Sequence, residues 1–282
     1  MVPSSRNRNL FSRLTAAACL LLFLFLAGAG TAAATQEGKP EAIRLTVLYD
    51  NTAAVDGVQA DWGFACLVET AGKTVLFDSG TKADILGGNA KALGVDLSRV
   101  DMLVFSHEHG DHTGGLSLVL DKLRGKDIVV YVPQSFSGKF FQTVEQAGLR
   151  PVKVGEFMTI GPGVHVTGEM GGPIKEIGLI LDTADGPLLA TGCAHPGIVD
   201  MIRAGGRSLG REIPIVLGGF HLLDLDDAAI NDLVTQFQTL GVKKCGATHC
   251  TGEKAIRAFQ DAYGPDFLAM GVGRRLTFRR PA

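Results

Sequence analysis

The segment His107, Glu108, His109, Gly110, Asp111, His112 gathers three imidazoles and a ligand-type carboxylate within six residues. The apolar run Met102 to Ser106 before it predicts a buried strand, and the leucines of Thr113 to Leu123 fall at helical spacing. The candidate ligands therefore lie at the C-terminal mouth of a strand. Residues i and i+2 of an extended segment point the same way, so His107 and His109 can hold one ion together. Asp111 and His112, at the start of the helix, can turn toward a second. The same alternation points Glu108 away from the ions, as a bystander. Neutral imidazole and carboxylate suit Zn(II) best, with Fe(II), Mn(II) or Ni(II) as alternatives. A merely polar loop is the competing reading, and four ligand-type side chains at this spacing argue against it.

Such ions do hydrolytic chemistry. A bound water can have its pKa lowered from near 16 to about 7, and a pair of ions about 3.5 to 4 Å apart clamps the attacking and leaving oxygens. Asp111 would then both hold the second metal and orient the nucleophile. A serine mechanism is not indicated, because Ser79 and Ser106 lack a G-x-S-x-G elbow and an evident base.

The elements that must position these groups alternate between strand and helix. Strands are expected at 43–49, 65–69, 74–77, 102–105, 128–132, 164–167, 177–182, 188–190, 213–217 and 244–248. Helices are expected at 84–93, 116–123, 139–147, 198–204, 227–240 and 253–262. This order predicts sheets covered by helices. Asp78 follows a strand and either orients a ligand histidine by hydrogen bonding or caps the next helix. Asn51, Asp61 and Trp62 lie on a long loop, 51–63, of a length that is often functional. His221 is read as a substrate-facing imidazole, with a buried, satisfied histidine as the alternative. His165, in alternating Gly163 to Thr167, is read as solvent-facing without a role, and Cys66 as a small packing residue.

The pattern H-x-H-x-D-H at 107–112, with Leu76-Phe-Asp-Ser-Gly80 and His249 on a late strand end, resembles the metallo-β-lactamase superfamily. Tyr49-Asp-Asn51 with Trp62-Gly-Phe64, Thr191-Gly-Cys-Ala-His195-Pro-Gly197, Gly218-Gly-Phe-His221-Leu222 and Thr248-His-Cys-Thr-Gly252 resemble more closely its branch of 7,8-dihydropterin-6-yl-methyl-4-(β-D-ribofuranosyl)aminobenzene-5′-phosphate synthase-like proteins. The resemblance spans about residues 43–278. It implies an α/β fold, a four-layer αβ/βα sandwich of two mixed sheets flanked by helices. It also implies His249 as the last ligand. Cys193 occupies the place of the superfamily's metal-bridging Asp in Thr-Gly-Asp. Either Cys193 supplies a thiolate, or His195 substitutes as ligand, or the second metal is weakly held. The expected sets are His107, His109 and His195 for the first metal and Asp111, His112 and His249 for the second, with Cys193 as a further candidate. Asp111 and His221 are the expected catalytic residues, and two Zn²⁺ ions the expected cofactors.

At 282 residues and 46% apolar side chains, the chain can bury one sizeable core. Residues 1–34 read as a signal peptide: Arg6, Arg8 and Arg13, an apolar stretch, then Ala32-Ala33-Ala34. Cleavage near Ala34 predicts an exported, periplasmic or secreted protein without stable membrane association. Residues 35–42 read as a flexible leader and 43–282 as the folded domain. Loss of 1–34 leaves 24 basic and 29 acidic side chains, a formal charge of −5. That balance excludes a phosphate-backbone binding surface, so the expected partner is a small molecule and not nucleic acid. Arg274, Arg275, Arg279 and Arg280 read as a solvated last strand and tail. Three functions fit: a metallohydrolase of a small ester, amide, lactone or phosphoester; a transferase like the pterin-forming branch; or a metal-binding module without turnover.

Overall fold

The computed structural model describes residues 42–281. The expected signal peptide, its cleavage point and residues 35–41 of the expected leader lie outside the described residues. Ala42, expected in the leader, is instead the first residue of a strand.

Two sheets form. The first contains β1 (Ala42–Tyr49), β2 (Ala65–Glu69), β3 (Thr74–Phe77), β4 (Met102–Val104), β5 (Val129–Pro133) and β6 (Arg150–Val154). The second contains β7 (Met158–Gly161), β8 (Val164–Val166), β9 (Leu179–Thr183), β10 (Gly186–Thr191), β11 (Ile215–Gly219) and β12 (Lys244–Thr248). The last strand, β13 (Arg275–Arg279), returns to the first sheet, whose order is β13-β1-β2-β3-β4-β5-β6. The second runs β12-β11-β10-β9-β8-β7. Both are mixed: β3 to β6 are parallel, as are β10 to β12, and the remaining pairs are antiparallel. The helices are α1 (Ala83–Ala92), α2 (Gly110–Thr113), α3 (Leu116–Leu123), α4 (Gly138–Gln146), α5 (Ile198–Leu209), α6 (Asp227–Thr239) and α7 (Glu253–Tyr263).

Side-chain alternation turns this list into layers. On β3, Val75 and Phe77 point between the sheets while Leu76 meets the helices; on β4, Met102 and Val104 do the first and Leu103 the second. On β11, Ile215 and Leu217 point inward and Val216 outward. Both faces are apolar because both are covered, which is why these strands read as continuous apolar runs. One apolar layer lies between the sheets. A second joins the first sheet to α1, α3 and α4, and a third joins the second sheet to α5, α6 and α7. The result is helix, sheet, sheet, helix.

Side-chain caps fix two of the helix starts. Ser137 accepts from the amide of Phe140 ahead of α4, and Asp226 from that of Ala229 ahead of α6. Among the described residues, no helix is long and apolar enough to cross a membrane.

The parallel strands all run out at one edge of the sandwich. Asp78 follows β3, Ser106 to His109 follow β4, Gly192 to His195 follow β10, Phe220 and His221 follow β11, and His249 follows β12. Carboxyl ends of strands are where open α/β sheets place ligands.

Two strands were not anticipated, β6 and β7. Both are partly exposed, and in β6 only Val152-Lys153-Val154 alternates, after Arg150 and Pro151. His165 is a correction. It does face away from the core between the sheets, but it is buried, stacked on Phe157 at 5.5 Å. Its Nδ1 lies 2.9 Å from Thr159 Oγ1 and its Nε2 3.2 Å from Asp182 Oδ2.

Candidate metal centre

Three loops converge on two sets of ligand-type atoms. His107, His109 and His195 form one, and Asp111, His112, Cys193 and His249 the other. Within each set the ligand atoms lie within 4.8 Å of one another. His107 Nε2 is 3.2 Å from His109 Nδ1, and His112 Nε2 is 3.2 Å from Cys193 Sγ. The rings of His107 and His112, 4.2 Å apart, bring the two sets together. All the expected ligands are thus gathered, grouped as expected, and Cys193 joins the second set.

Each of three buried imidazoles has one nitrogen engaged by the protein and the other turned into the cluster. His112 Nδ1 meets Asp78 Oδ2 at 2.7 Å. Asp78 also accepts from the Ser106 amide and hydroxyl, both at 2.7 Å, so its role is orientation and not helix capping. Ser106 Oγ lies 2.9 Å from His107 Nδ1. Its own proton goes to Asp78, so the hydroxyl oxygen accepts from the imidazole. Ser106 therefore has an imidazole neighbour, contrary to expectation, but it is fully buried and serves to hold that ring. His249 Nδ1 donates to Asn51 Oδ1 at 3.0 Å. Such partners fix tautomer and ring orientation at metal sites.

The early loop closes over the cluster, as its length suggested. Trp62 Nε1 donates to Asp111 Oδ2 at 2.8 Å, and the Trp62 ring lies 4.8 Å from that of His249. Asp61 turns elsewhere, accepting from Tyr49 Oη and pairing with Lys82. Glu108 points away, accepting from the Ser137 amide at 2.6 Å. Cys66 is buried among apolar side chains, and the four described cysteines are free thiols.

Sequence reasoning missed Glu176. This carboxylate is fully buried. Its Oε1 accepts from the amides of Gly192, Cys193 and Ala194 at 3.1, 3.0 and 2.9 Å, and its Oε2 from that of His195 at 2.9 Å. Four consecutive backbone donors thus wrap one side chain, and they belong to the loop that presents Cys193 and His195. A lone Glu before a strand carries no sequence signal of this role. The loop also needs Gly192: a Cβ there would meet Ser106 Oγ at 2.1 Å. Cys250 was missed as well. It forms a third group with Cys193 and His221.

Electrostatics keep two of the imidazoles, His107 and His195, neutral and able to ligate. Burial, and then the neighbouring histidines, push His107 far below the usual imidazole range. Burial and His221 lower His195 to about 4. Burial acts to raise Asp111, but contact with His249 and the charge of His112 outweigh it, and its carboxyl stays ionised well below the usual range. Burial opposes the charged form of His112, and Asp78 overcomes it, raising the ring. Burial raises Glu176 to about 7 against the pull of the Ala194, His195 and Cys193 amides. His221 is exposed, its ring 4.4 Å from that of His195, and is raised chiefly by its hydrogen bond with Cys250.

The donor set fits divalent metal. His195 Nε2 and His249 Nε2 are buried without a hydrogen-bond partner, the latter 3.2 Å from Asp111 Oδ2 without hydrogen-bond alignment. Buried polar atoms are ordinarily paired, and two unpaired imidazole nitrogens aimed into a cluster of carboxylate, thiol and imidazole are what a metal ion satisfies.

Comparison with known proteins agrees. The chain is 29% identical over 290 aligned positions to the 7,8-dihydropterin-6-methyl-4-(beta-D-ribofuranosyl)-aminobenzene-5'-phosphate synthase of Methanocaldococcus jannaschii, covering 86% of this chain and 98% of that one. The crystal structure of Tm1679, a metal-dependent hydrolase of the beta-lactamase superfamily, superposes with a TM-score of 0.70 at 27% identity over 84% of this chain and 99% of that one. The metallo-beta-lactamase fold protein YhfI from Bacillus subtilis shares the fold, with a TM-score of 0.63 at 12% identity over 84% of this chain and 99% of its own. With residues 63–225 matching the family model, its two-sheet sandwich and its His/Asp site, the chain belongs to the metallo-beta-lactamase superfamily.

Proposed function

We propose that this protein is a metal-dependent hydrolase of a small ester, amide, lactone or phosphoester. The observation that carries the reading is the pair of facing ligand sets, three imidazoles against Asp111, His112, Cys193 and His249. Two Zn²⁺ ions are the proposed occupants, and they would supply water acidified for attack and Lewis acidity toward the electrophile. Asp111, steadied by Trp62, orients the nucleophile. His221, the exposed imidazole at the edge of the centre, is placed to give a proton to the leaving group. Beside His249, a cleft lined by Asn51, Trp62, Leu223, Ile256, Arg257 and Met270 offers room for a small molecule. Trp62 and Leu223 are two of the three exposed large apolar side chains among the described residues.

A second reading, a transferase acting on a phosphorylated ribosyl donor, is supported by the near full-length likeness to the archaeal synthase. The proposed export would argue against it, because phosphoribosyl metabolites are cytoplasmic. We place the mature chain outside the cytoplasm, with the basic and apolar N-terminus as its signal, and N-terminal sequencing of the exported protein tests that assignment.

The deciding assay uses metal-stripped protein reloaded with Zn²⁺ on phosphodiester, lactone and β-lactam substrates. Turnover that vanishes on chelation and in His109→Ala supports the hydrolase. Consumption of a phosphorylated ribosyl donor only when an aromatic acceptor is present, with no hydrolysis of any substrate, replaces it by the second reading.

A further inference from the structure

Cys193, His221 and Cys250 come together from three separate loops, after β10, β11 and β12, with their ligand atoms within 4.8 Å of one another. Only Cys193 is shared with the second ligand set, and Cys250 has no part in the chemistry above. Hydrogen bonds between the loops hold the cluster in place. The Gly219 amide donates to Gly192 O at 3.2 Å, the Phe220 amide to Thr251 Oγ1 at 3.0 Å and the Leu222 amide to Cys250 O at 3.2 Å, while the Cys250 thiol reaches Cys193 O at 3.7 Å. Room for the sulfur is provided by a glycine, since a Cβ on Gly219 would meet Cys250 Sγ at 2.7 Å. The His221 backbone is held at φ 55°, a conformation uncommon outside glycine. Both thiols are buried and free, and the imidazole is exposed, so the cluster is closed behind and open in front.

We propose that Cys193, His221 and Cys250 form a further metal site, selective for a thiophilic cation such as Zn(II), Cd(II) or Cu(I), joined to the second ligand set through Cys193. Two sulfurs and one imidazole are a soft donor set, whereas Asp111, His112 and His249 are borderline to hard. An ion entering the soft set binds the two sulfurs and the imidazole, releases the Cys250 thiol proton to solvent, together with that of Cys193 when the second set is empty, and leaves one position open toward the exposed side. Three protein ligands with an open fourth position are the pattern of reactive and not of structural sites. An ion held there would engage the imidazole proposed above as proton donor, so the two roles of His221 belong to the ion-free and ion-bound forms of this cluster.

Cadmium titration of the metal-stripped protein tests this, read by bound-metal stoichiometry and by the ultraviolet thiolate-to-cadmium charge-transfer band. Wild type is expected to bind one equivalent more than Cys250→Ser, and the variant's band is expected to fall to about a third, as one of three cadmium–thiolate bonds remains. His221→Ala, a change at an exposed side chain, should lose the same equivalent, and it carries the test if Cys250→Ser fails to fold. Equal stoichiometry and an unchanged band in both variants would overturn the site and leave Cys193 serving only the second set.

Discussion

Asp78 Oδ2 stands 2.7 Å from His112 Nδ1 and 2.7 Å from Ser106 Oγ, so one buried carboxylate orients two of the metal-binding imidazoles, the second through the serine hydroxyl. Asp78→Ala should therefore weaken metal binding about 10- to 100-fold, the usual cost of losing such a partner. Competition against a fluorescent chelator measures it. Unchanged affinity would mean that packing alone sets the ring of His112.

Glu176→Ala leaves four buried amides without their acceptor. Exposing even part of that deficit costs about 3 kcal/mol or more in stability, read from the shift in urea midpoint at constant slope. Metal content at the first set should fall as well, because His195 loses its anchor. A variant destabilised to this degree that still binds metal at full stoichiometry would show that the loop holds its shape without the clamp.

His109→Ala should lose metal and activity together. His165→Ala makes a useful contrast, since it removes a ring held by Thr159 and Asp182 that belongs to neither ligand set. Full metal content with a stability loss of about 1–3 kcal/mol is expected, from unpairing buried polar groups. Metal analysis by plasma mass spectrometry alongside thermal melting separates the two effects.

Cys193 Sγ lies 3.2 Å from His112 Nε2, the separation of two atoms that share an ion. Cys193→Ser should lower metal occupancy and Cys193→Asp restore much of it, as carboxylate is a good zinc ligand. If the thiol only packs, Ser is nearly neutral and Asp destabilising through an unpaired buried charge. Cobalt-loaded wild type should show a sulfur-to-metal band that disappears in Cys193→Ser.

The metal-free protein should have opposing pH dependences. His195 falls from 6.5 to about 4 on folding, so the unfolded chain takes up its proton first, and stability is lost as pH drops from about 6.5 toward 4. Glu176 rises from 4.5 to about 7, so its contribution is present below about 4.5 and is lost as pH climbs through 7. Urea midpoints across this range should show both flanks, and Glu176→Gln should remove the alkaline one alone. A Glu176→Gln profile that keeps its alkaline loss would assign that flank elsewhere.

Much of the centre was legible because its chemistry is concentrated in short motifs at strand ends: His107 to His112 announces itself by composition, and the segment at Cys193 and His195 by resemblance. What escaped detection depends on single residues acting across the fold. Glu176 and Cys250 are ordinary in their local sequence and become meaningful only when β10, β11 and β12 bring their loops together. Alternation placed His165 on the correct face of β8, but could not show that Phe157, Thr159 and Asp182 cover that face. The edge strand β6 alternates only over Val152-Lys153-Val154, behind a proline, too short a run to read.

Among the described residues, every non-glycine side chain on left-handed backbone is at this centre: Asp78, Ala194, His221 and His249. Such positions cost about 1–3 kcal/mol each and persist because their surroundings impose them. Heat resistance and function consequently pull in opposite directions at these four codons. A selection for thermal robustness alone would drift toward glycine or asparagine there, relaxing the backbone while dissolving the constellation it supports, so stabilising substitutions should be sought in the helical layers, away from this edge of the sandwich.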